Sequence, residues 1–132
     1  MKKTFTYGLT HLAVNVSDLD RTLNFYRDVF DMEVIYHEND FIQLTTPGCH
    51  DILVFEKSPR KKIVTGSGIA HFGFRLKEAG DVDKVFKKIT SAGGEIVEKG
   101  EFLPGSPFIF FKDPDGYTIE VWYELLQEGS SH

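Results

Sequence analysis

Along residues 9–16 apolar and polar positions alternate, with Leu12, Val14 and Val16 on one face and His11, Ala13 and Asn15 on the other, the pattern of a half-buried strand. Ser17 stands three residues before Asp20, a capping-box-like start. Leu19, Leu23, Tyr26 and Phe30 then recur at helical spacing, so a helix packed by that stripe is expected. Three short runs follow that read as strands, residues 32–37, 41–45 and 52–55, divided by Glu38-Asn39-Asp40 and by Pro47-Gly48.

From residue 68 the same order returns. Ala70, Phe72, Phe74 and Leu76 alternate with His71, Gly73 and Arg75, and Val82, Val85, Phe86 and Ile89 mark a helix that Gly93-Gly94 should end in a left-handed cap. A strand starts at residues 96–97, and strands at 108–112 and 118–123 flank Asp113-Pro114-Asp115-Gly116. Proline second and glycine fourth in that segment suit a type I turn.

The second half therefore repeats the first. Gly8, Leu9 and His11 match Gly68, Ile69 and His71, and a gapless match of the later strands sets Phe41 on Phe108, Pro47 on Pro114 and Leu53 on Glu120. The expected architecture is α+β, with a βαβββ module over residues 7–57, a linker over 58–67, a second βαβββ module over 68–124 and a polar tail over 125–132, together one compact domain. In this alignment a carboxylate stands in one half where Leu53 stands in the other. Glu56, three strand residues from Leu53, should point the other way because side chains alternate faces.

Composition narrows the function classes. A chain of 132 residues buries about two-thirds of its unfolded surface, and twelve phenylalanines give it rings enough to line a pocket. A net charge of -5 argues against nucleic-acid or anionic-membrane binding, which needs excess Lys and Arg. The cluster Arg60-Lys61-Lys62 lies between Ser58-Pro59 and Gly66-Ser67-Gly68 and reads as a solvated linker. No run approaches the ~18 apolar residues of a membrane helix. Met1-Lys2-Lys3 imitates a secretory n-region, but Thr4, Thr6, Tyr7, Gly8, Thr10 and His11 interrupt any apolar segment behind it. The single cysteine, Cys49, excludes an internal disulfide and reads as structural, in keeping with a reducing compartment. A cytoplasmic protein is expected.

Candidate chemistry rests on His11, its repeat His71, and Glu120 between Ile119 and Val121. Each opposes an apolar face. Singly, an interior histidine is more often a hydrogen-bonded structural residue, and Glu120 can pair with Arg75. Together, two imidazoles and a carboxylate form a set that binds a divalent transition metal and leaves coordination positions open, which also relieves the cost of a buried carboxylate. His37, His50 and His132 read as loop or surface residues.

The paired modules, the segment Leu9-Thr10-His11-Leu12, the run Phe25-Tyr26-Arg27-Asp28-Val29-Phe30, the segment Ile69-Ala70-His71-Phe72 and the stretch Phe111-Lys112-Asp113-Pro114-Asp115-Gly116-Tyr117-Thr118-Ile119-Glu120 resemble the vicinal oxygen chelate superfamily. This is the glyoxalase, bleomycin-resistance and extradiol-dioxygenase family, and the match runs over nearly the whole chain. The resemblance implies a curved mixed sheet around a concave pocket, with a divalent metal (Fe, Mn, Ni, Co or Zn) on His11, His71 and Glu120. It also implies a homodimer whose sites are completed by both chains, and a small-molecule substrate held through two adjacent oxygens. A metal so placed acts as a Lewis acid.

Departures from the family pattern bear on the reaction. Two members of that superfamily, glyoxalase I and methylmalonyl-CoA epimerase, usually bring a fourth ligand from the strand holding Leu53, which cannot ligate; Gln43 is the nearest substitute. Where fosfomycin-modifying relatives carry hydroxyls, and extradiol dioxygenases a tyrosine, this chain has Phe108 and Phe110, and phenyl faces suit a phosphonate poorly. By the repeat alignment Phe41, Leu53, Phe55, Phe108, Phe110 and Trp122 share the ligands' parity, so they line either a core or a pocket for a partly apolar or aromatic substrate. Three functions stay open: a glyoxalase-like lyase or isomerase, an Fe(II) extradiol-type dioxygenase, and a metal-free drug- or metabolite-binding protein of the bleomycin-resistance kind.

Overall fold

A computed structural model describes residues 3–60, 63–65 and 68–125. Lys61, Lys62, Gly66 and Ser67 of the expected linker, and residues 126–132 of the expected tail with His132, lie outside the described residues. The chain divides into two compact units, Met1–Ile63 and Val64–His132.

In the first unit β1 (Leu12–Val16) leads into α1 (Leu19–Phe30), followed by β2 (Glu33–His37), β3 (Phe41–Thr45) and β4 (Leu53–Lys57). The strands form one sheet in the order β1-β4-β3-β2, with β1 parallel to β4 and the other pairs antiparallel. The crossover through α1 is what allows the parallel pair. In the second unit β5 (Phe72–Arg75) is followed by a 3-10 turn (Ala79–Asp81), α2 (Val82–Ser91), β6 (Glu95–Glu101), β7 (Pro107–Lys112) and β8 (Thr118–Trp122). Their sheet order, β5-β8-β7-β6, repeats the first. The expected βαβββ order thus holds in both halves, each half closing its own four-stranded mixed sheet.

The expected first strand of each unit is shorter than the alternation suggested. Gly8 and Gly68 sit at φ 97° and 90°, and regular pairing begins only at Leu12 and Phe72. His11 and His71 therefore stand just before their strands rather than inside them. The start of α1 also differs from expectation. Asp18 is the N-cap, its Oδ1 accepting the Arg21 N–H at 3.0 Å, while Ser17 Oγ accepts from Arg21 Nη2 at 2.7 Å. The buried stripe is Leu19, Thr22, Phe25, Tyr26 and Val29, with Leu23 and Phe30 on its half-buried flank. Removing one cap bond costs about 1 kcal/mol, so Asp18→Ala is expected to lower stability by that amount in urea unfolding. Ser17→Ala is expected to cost less than about 0.5 kcal/mol, because an exposed side-chain pair contributes little.

At the other helix, Gly93 (φ 90°) ends α2 as expected. Gly94 N–H donates to Ile89 O at 2.9 Å and Gly93 N–H to Thr90 O at 3.3 Å, the two bonds of a Schellman motif.

Each helix covers one face of its own sheet. The α1-facing residues include Val14, Ile42, Leu44, Leu53 and Phe55, all buried, with the Phe55 ring 4.7 Å from that of Tyr26. In the second unit Lys99 pairs with Ile109 and reaches Asp83 of α2 at 3.0 Å. That contact fixes Ile109, and with it Phe111, Ile119 and Val121, on the α2 side, all at 1% exposure or less. The two second strands share an irregularity as well. A register shift between Val34 and Tyr36 opposite β3 recurs between Ile96 and Glu98 opposite β7, which is why neither stretch shows clean alternation.

Candidate metal and substrate site

The repeat slips by one residue at its last hairpin. Leu44 pairs with Leu53 in the first unit, but Phe111, the counterpart of Leu44, pairs with Ile119. The parallel pairs agree, because Leu12 matches Leu53, Phe72 matches Ile119, Ala13 matches Val54 and Gly73 matches Glu120. The counterpart of Glu120 is therefore Val54 and not Leu53. The cause is local. The segment between β3 and β4 is longer, closed by Asp51, whose carboxylate accepts the Thr46 N–H at 2.8 Å and hydroxyl at 2.6 Å. The segment between β7 and β8 is tighter. There Asp113 Oδ1 takes both the Asp115 and Tyr117 N–H groups at 3.0 Å, and the Gly116 N–H closes on Asp113 O at 2.9 Å.

This register corrects the placement of two residues. Leu53 and Phe55, placed with the pocket by the gapless alignment, share parity with Ile119 and Val121 and belong to the α1-facing core. Glu56 points away from Leu53 as expected, and because Leu53 faces α1 this places Glu56 on the face of Val54, opposite Phe41, where it is exposed. Cys49 lies exposed in the segment after β3.

On the face of the first unit away from α1, Phe41 and Gln43 are half-buried on β3 and His11 is exposed ahead of β1. His37 and His50 are exposed as well.

On the face of the second unit away from α2, the paired strands form rows. Gly73, Glu120, Phe110 and Glu98 make one row, and Arg75, Trp122, Phe108 and Gly100 the next. His71 Nε2 lies 3.8 Å from Glu120 Oε1, with the histidine side chain 43% exposed and the carboxylate 16%. Gly73 leaves the space that Glu120 fills, since a Cβ there would stand 3.0 Å from Glu120 O and 3.4 Å from Oε1. Glu120 does not pair with Arg75, whose Nε instead lies 3.6 Å from Glu124 Oε2.

Aromatic rings extend from the pair. Phe110 meets His71 edge-on at 5.3 Å, and Phe108 follows at 5.6 Å. Phe102 stacks on Phe108 at 4.2 Å and meets Trp122 edge-on at 5.9 Å. Phe102 was invisible to periodicity, because it follows the end of β6 and reaches this face only through a loop. Gly73 and Gly100 carried the usable signal, since a glycine inside a strand often marks a close approach.

An imidazole nitrogen and a carboxylate oxygen 3.8 Å apart fit two ligands of one divalent ion, whose bonds to N and O are about 2.0–2.2 Å. Among the described residues no group of three or more His, Cys, Asp or Glu is arranged to hold a metal, so the second unit by itself offers two donors. Among the same residues no helix is long and apolar enough to cross a membrane.

Fold and site together define a class: paired βαβββ modules with a histidine–carboxylate pair on the helix-free face of a sheet. The sequence pattern of the Glyoxalase/Bleomycin resistance protein/Dioxygenase superfamily matches residues 8–121, and the chain belongs to that superfamily. It is 30% identical over 131 residues to a lactoylglutathione lyase of Arabidopsis thaliana, an alignment covering 90% of this chain and 44% of the lyase. The chain thus spans less than half the length of that relative. It is 26% identical over 127 residues to a metallothiol transferase of Shouchella clausii, covering 95% and 86% of the two chains. Among solved structures, the fosfomycin resistance protein of Listeria monocytogenes complexed with Mn(II) and sulfate shares the fold with a TM-score of 0.76 at 21% identity, over 94% of this chain and 98% of that one.

Proposed function

We propose that the chain is a metal-dependent small-molecule enzyme with glyoxalase-like lyase or isomerase chemistry, binding its substrate through adjacent oxygens. The observation that carries this reading is the approach of His71 to Glu120 across the side-chain-free Gly73. A lone carboxylate beside rings is costly to desolvate, and a bound cation shared with the imidazole offsets that cost. The third donor is His11, from this chain or from a second copy in a homodimer. A divalent ion held by these residues supplies Lewis acidity to a developing oxyanion. Val54 cannot add a fourth protein ligand where Glu120 stands in the other unit, which leaves room for substrate oxygens. The identity to a lactoylglutathione lyase favours proton transfer beside a carbonyl over oxygen insertion.

Protein produced in metal-supplemented medium is expected to carry about one divalent ion per chain by elemental analysis. His71→Ala is expected to lose most of it with the melting temperature little changed, because the side chain is exposed. Undiminished metal in that variant would sink the reading.

A further inference from the structure

The rings beside His71 and Glu120 form a constructed shelf. Gly100 faces Phe108 across the β6–β7 pair, and a Cβ at Gly100 would stand 3.2 Å from the Phe108 ring. The missing side chain lets Phe108 lie down over β6, where it is 6% exposed. Phe102 then stacks on it nearly parallel, at 20° between planes, while remaining 49% exposed.

The loop that holds Phe102 is pinned rather than loose. Phe102 N–H donates to Ser106 O at 3.1 Å, Gly105 N–H to Glu101 Oε2 at 2.7 Å, and the buried Ser106 hydroxyl to Tyr123 O at 2.6 Å. A half-exposed ring held in place by these bonds keeps apolar area in water at a free-energy cost that a ligand can relieve.

We infer that this shelf takes a planar apolar substituent, so that the substrate class is a small molecule with two adjacent oxygens at one end and an aryl group at the other. The oxygens sit at His71 and Glu120, and the aryl group continues over Phe110 toward Trp122 and Phe102. Charge selects against an anionic tail, because Phe110 stands in its row between Glu120 and Glu98. The assignment of the oxygen-bearing end rests on the metal-centred reading above; that of the aryl end does not.

Mandelate and lactate share the same pair of adjacent oxygens and differ in a phenyl against a methyl group, which makes them the test probes. Trp122, the single tryptophan of the chain, lies on the shelf and reports binding by its fluorescence. Titrations of the Mn(II)-supplemented protein are expected to give mandelate about tenfold tighter binding than lactate, the value of burying a further apolar surface of ring size in part. With EDTA both affinities are expected to fall while the preference persists. Phe102→Ala and Phe110→Ala are expected to cut the preference below about threefold, mainly through weaker mandelate binding.

Equal affinities for the two acids, no mandelate signal, or a preference undiminished in the variants would overturn the inference. Phe102 is exposed and outside the core, so its variant decides the matter even where Phe110→Ala fails to fold. Failure of Mn(II) to raise either affinity, with the phenyl preference intact in EDTA, would count against the metal reading and leave the shelf standing.

Discussion

Phe55→Ala is expected to destabilise the protein by about 3–5 kcal/mol, the range for truncating a fully buried phenylalanine. Phe55 is 0% exposed, packs its ring 4.7 Å from Tyr26 and pairs across the sheet with Val14 and Ile42. Little can collapse into the space left behind, because these neighbours are themselves fixed by strand pairing and by α1. The result separates two registers for the same sequence. With Leu53 as the counterpart of Glu120, Phe55 lines the pocket, and its loss should weaken ligand binding while leaving stability nearly intact. With Val54 as the counterpart, the loss falls on stability. Urea or thermal unfolding of the variant decides between them, and a cost below about 1 kcal/mol would favour the first.

Gly73→Val is expected to disturb both structure and site. A Cβ at residue 73 meets Glu120 O at 3.0 Å, and that oxygen belongs to the paired backbone of β8. It cannot swing aside as the end of a long side chain can, so the strands must part slightly. Overpacking of this kind costs about 1–3 kcal/mol, more than the ~0.4–1 kcal/mol that a glycine replacement gains by restricting the unfolded chain. The added side chain also crowds Glu120 Oε1, 3.4 Å from a Cβ at residue 73 and the oxygen that faces His71 at 3.8 Å. Metal content should therefore fall at least as far as in His71→Ala, with Gly73→Ala intermediate in both stability and metal. Wild-type metal content in a folded Gly73→Val protein would show that the close approach has no role in binding.

Much of the fold was legible because it is encoded locally and twice. Strand alternation at residues 12–16 and 72–76, the paired glycines after α2 and the Asp-Pro-Asp-Gly turn each act through neighbours in sequence, and each produced the expected element. The exceptions trace to competition between nearby polar groups and to sheet pairing. Asp18 lies next to Ser17, and either could have capped α1. The cap went to the carboxylate, which accepts the Arg21 N–H, while Ser17 holds the arginine side chain.

The candidate site was legible only in part. Its histidines announced themselves by repetition and its carboxylate by breaking it, whereas the ring that completes the shelf, Phe102, reaches Phe108 and Trp122 through a loop that no periodicity marks.

By itself, then, the sequence determined the βαβββ order, its duplication, the family, and the presence of one carboxylate against two repeated histidines, since all of these are written in residue types and their spacing. The tertiary structure alone decided the register of the last hairpin. One additional residue between Leu44 and its partner Leu53, compared with Phe111 and Ile119, reverses which side chains face the helix, because side chains alternate with a period of two. That reversal put Leu53 and Phe55 in the core and Glu56 on the face of His11. It left Val54 opposite Ala13 where Glu120 stands opposite Gly73. A glycine in one unit and an alanine in the other, facing a carboxylate and a valine, make the duplicated fold chemically one-sided.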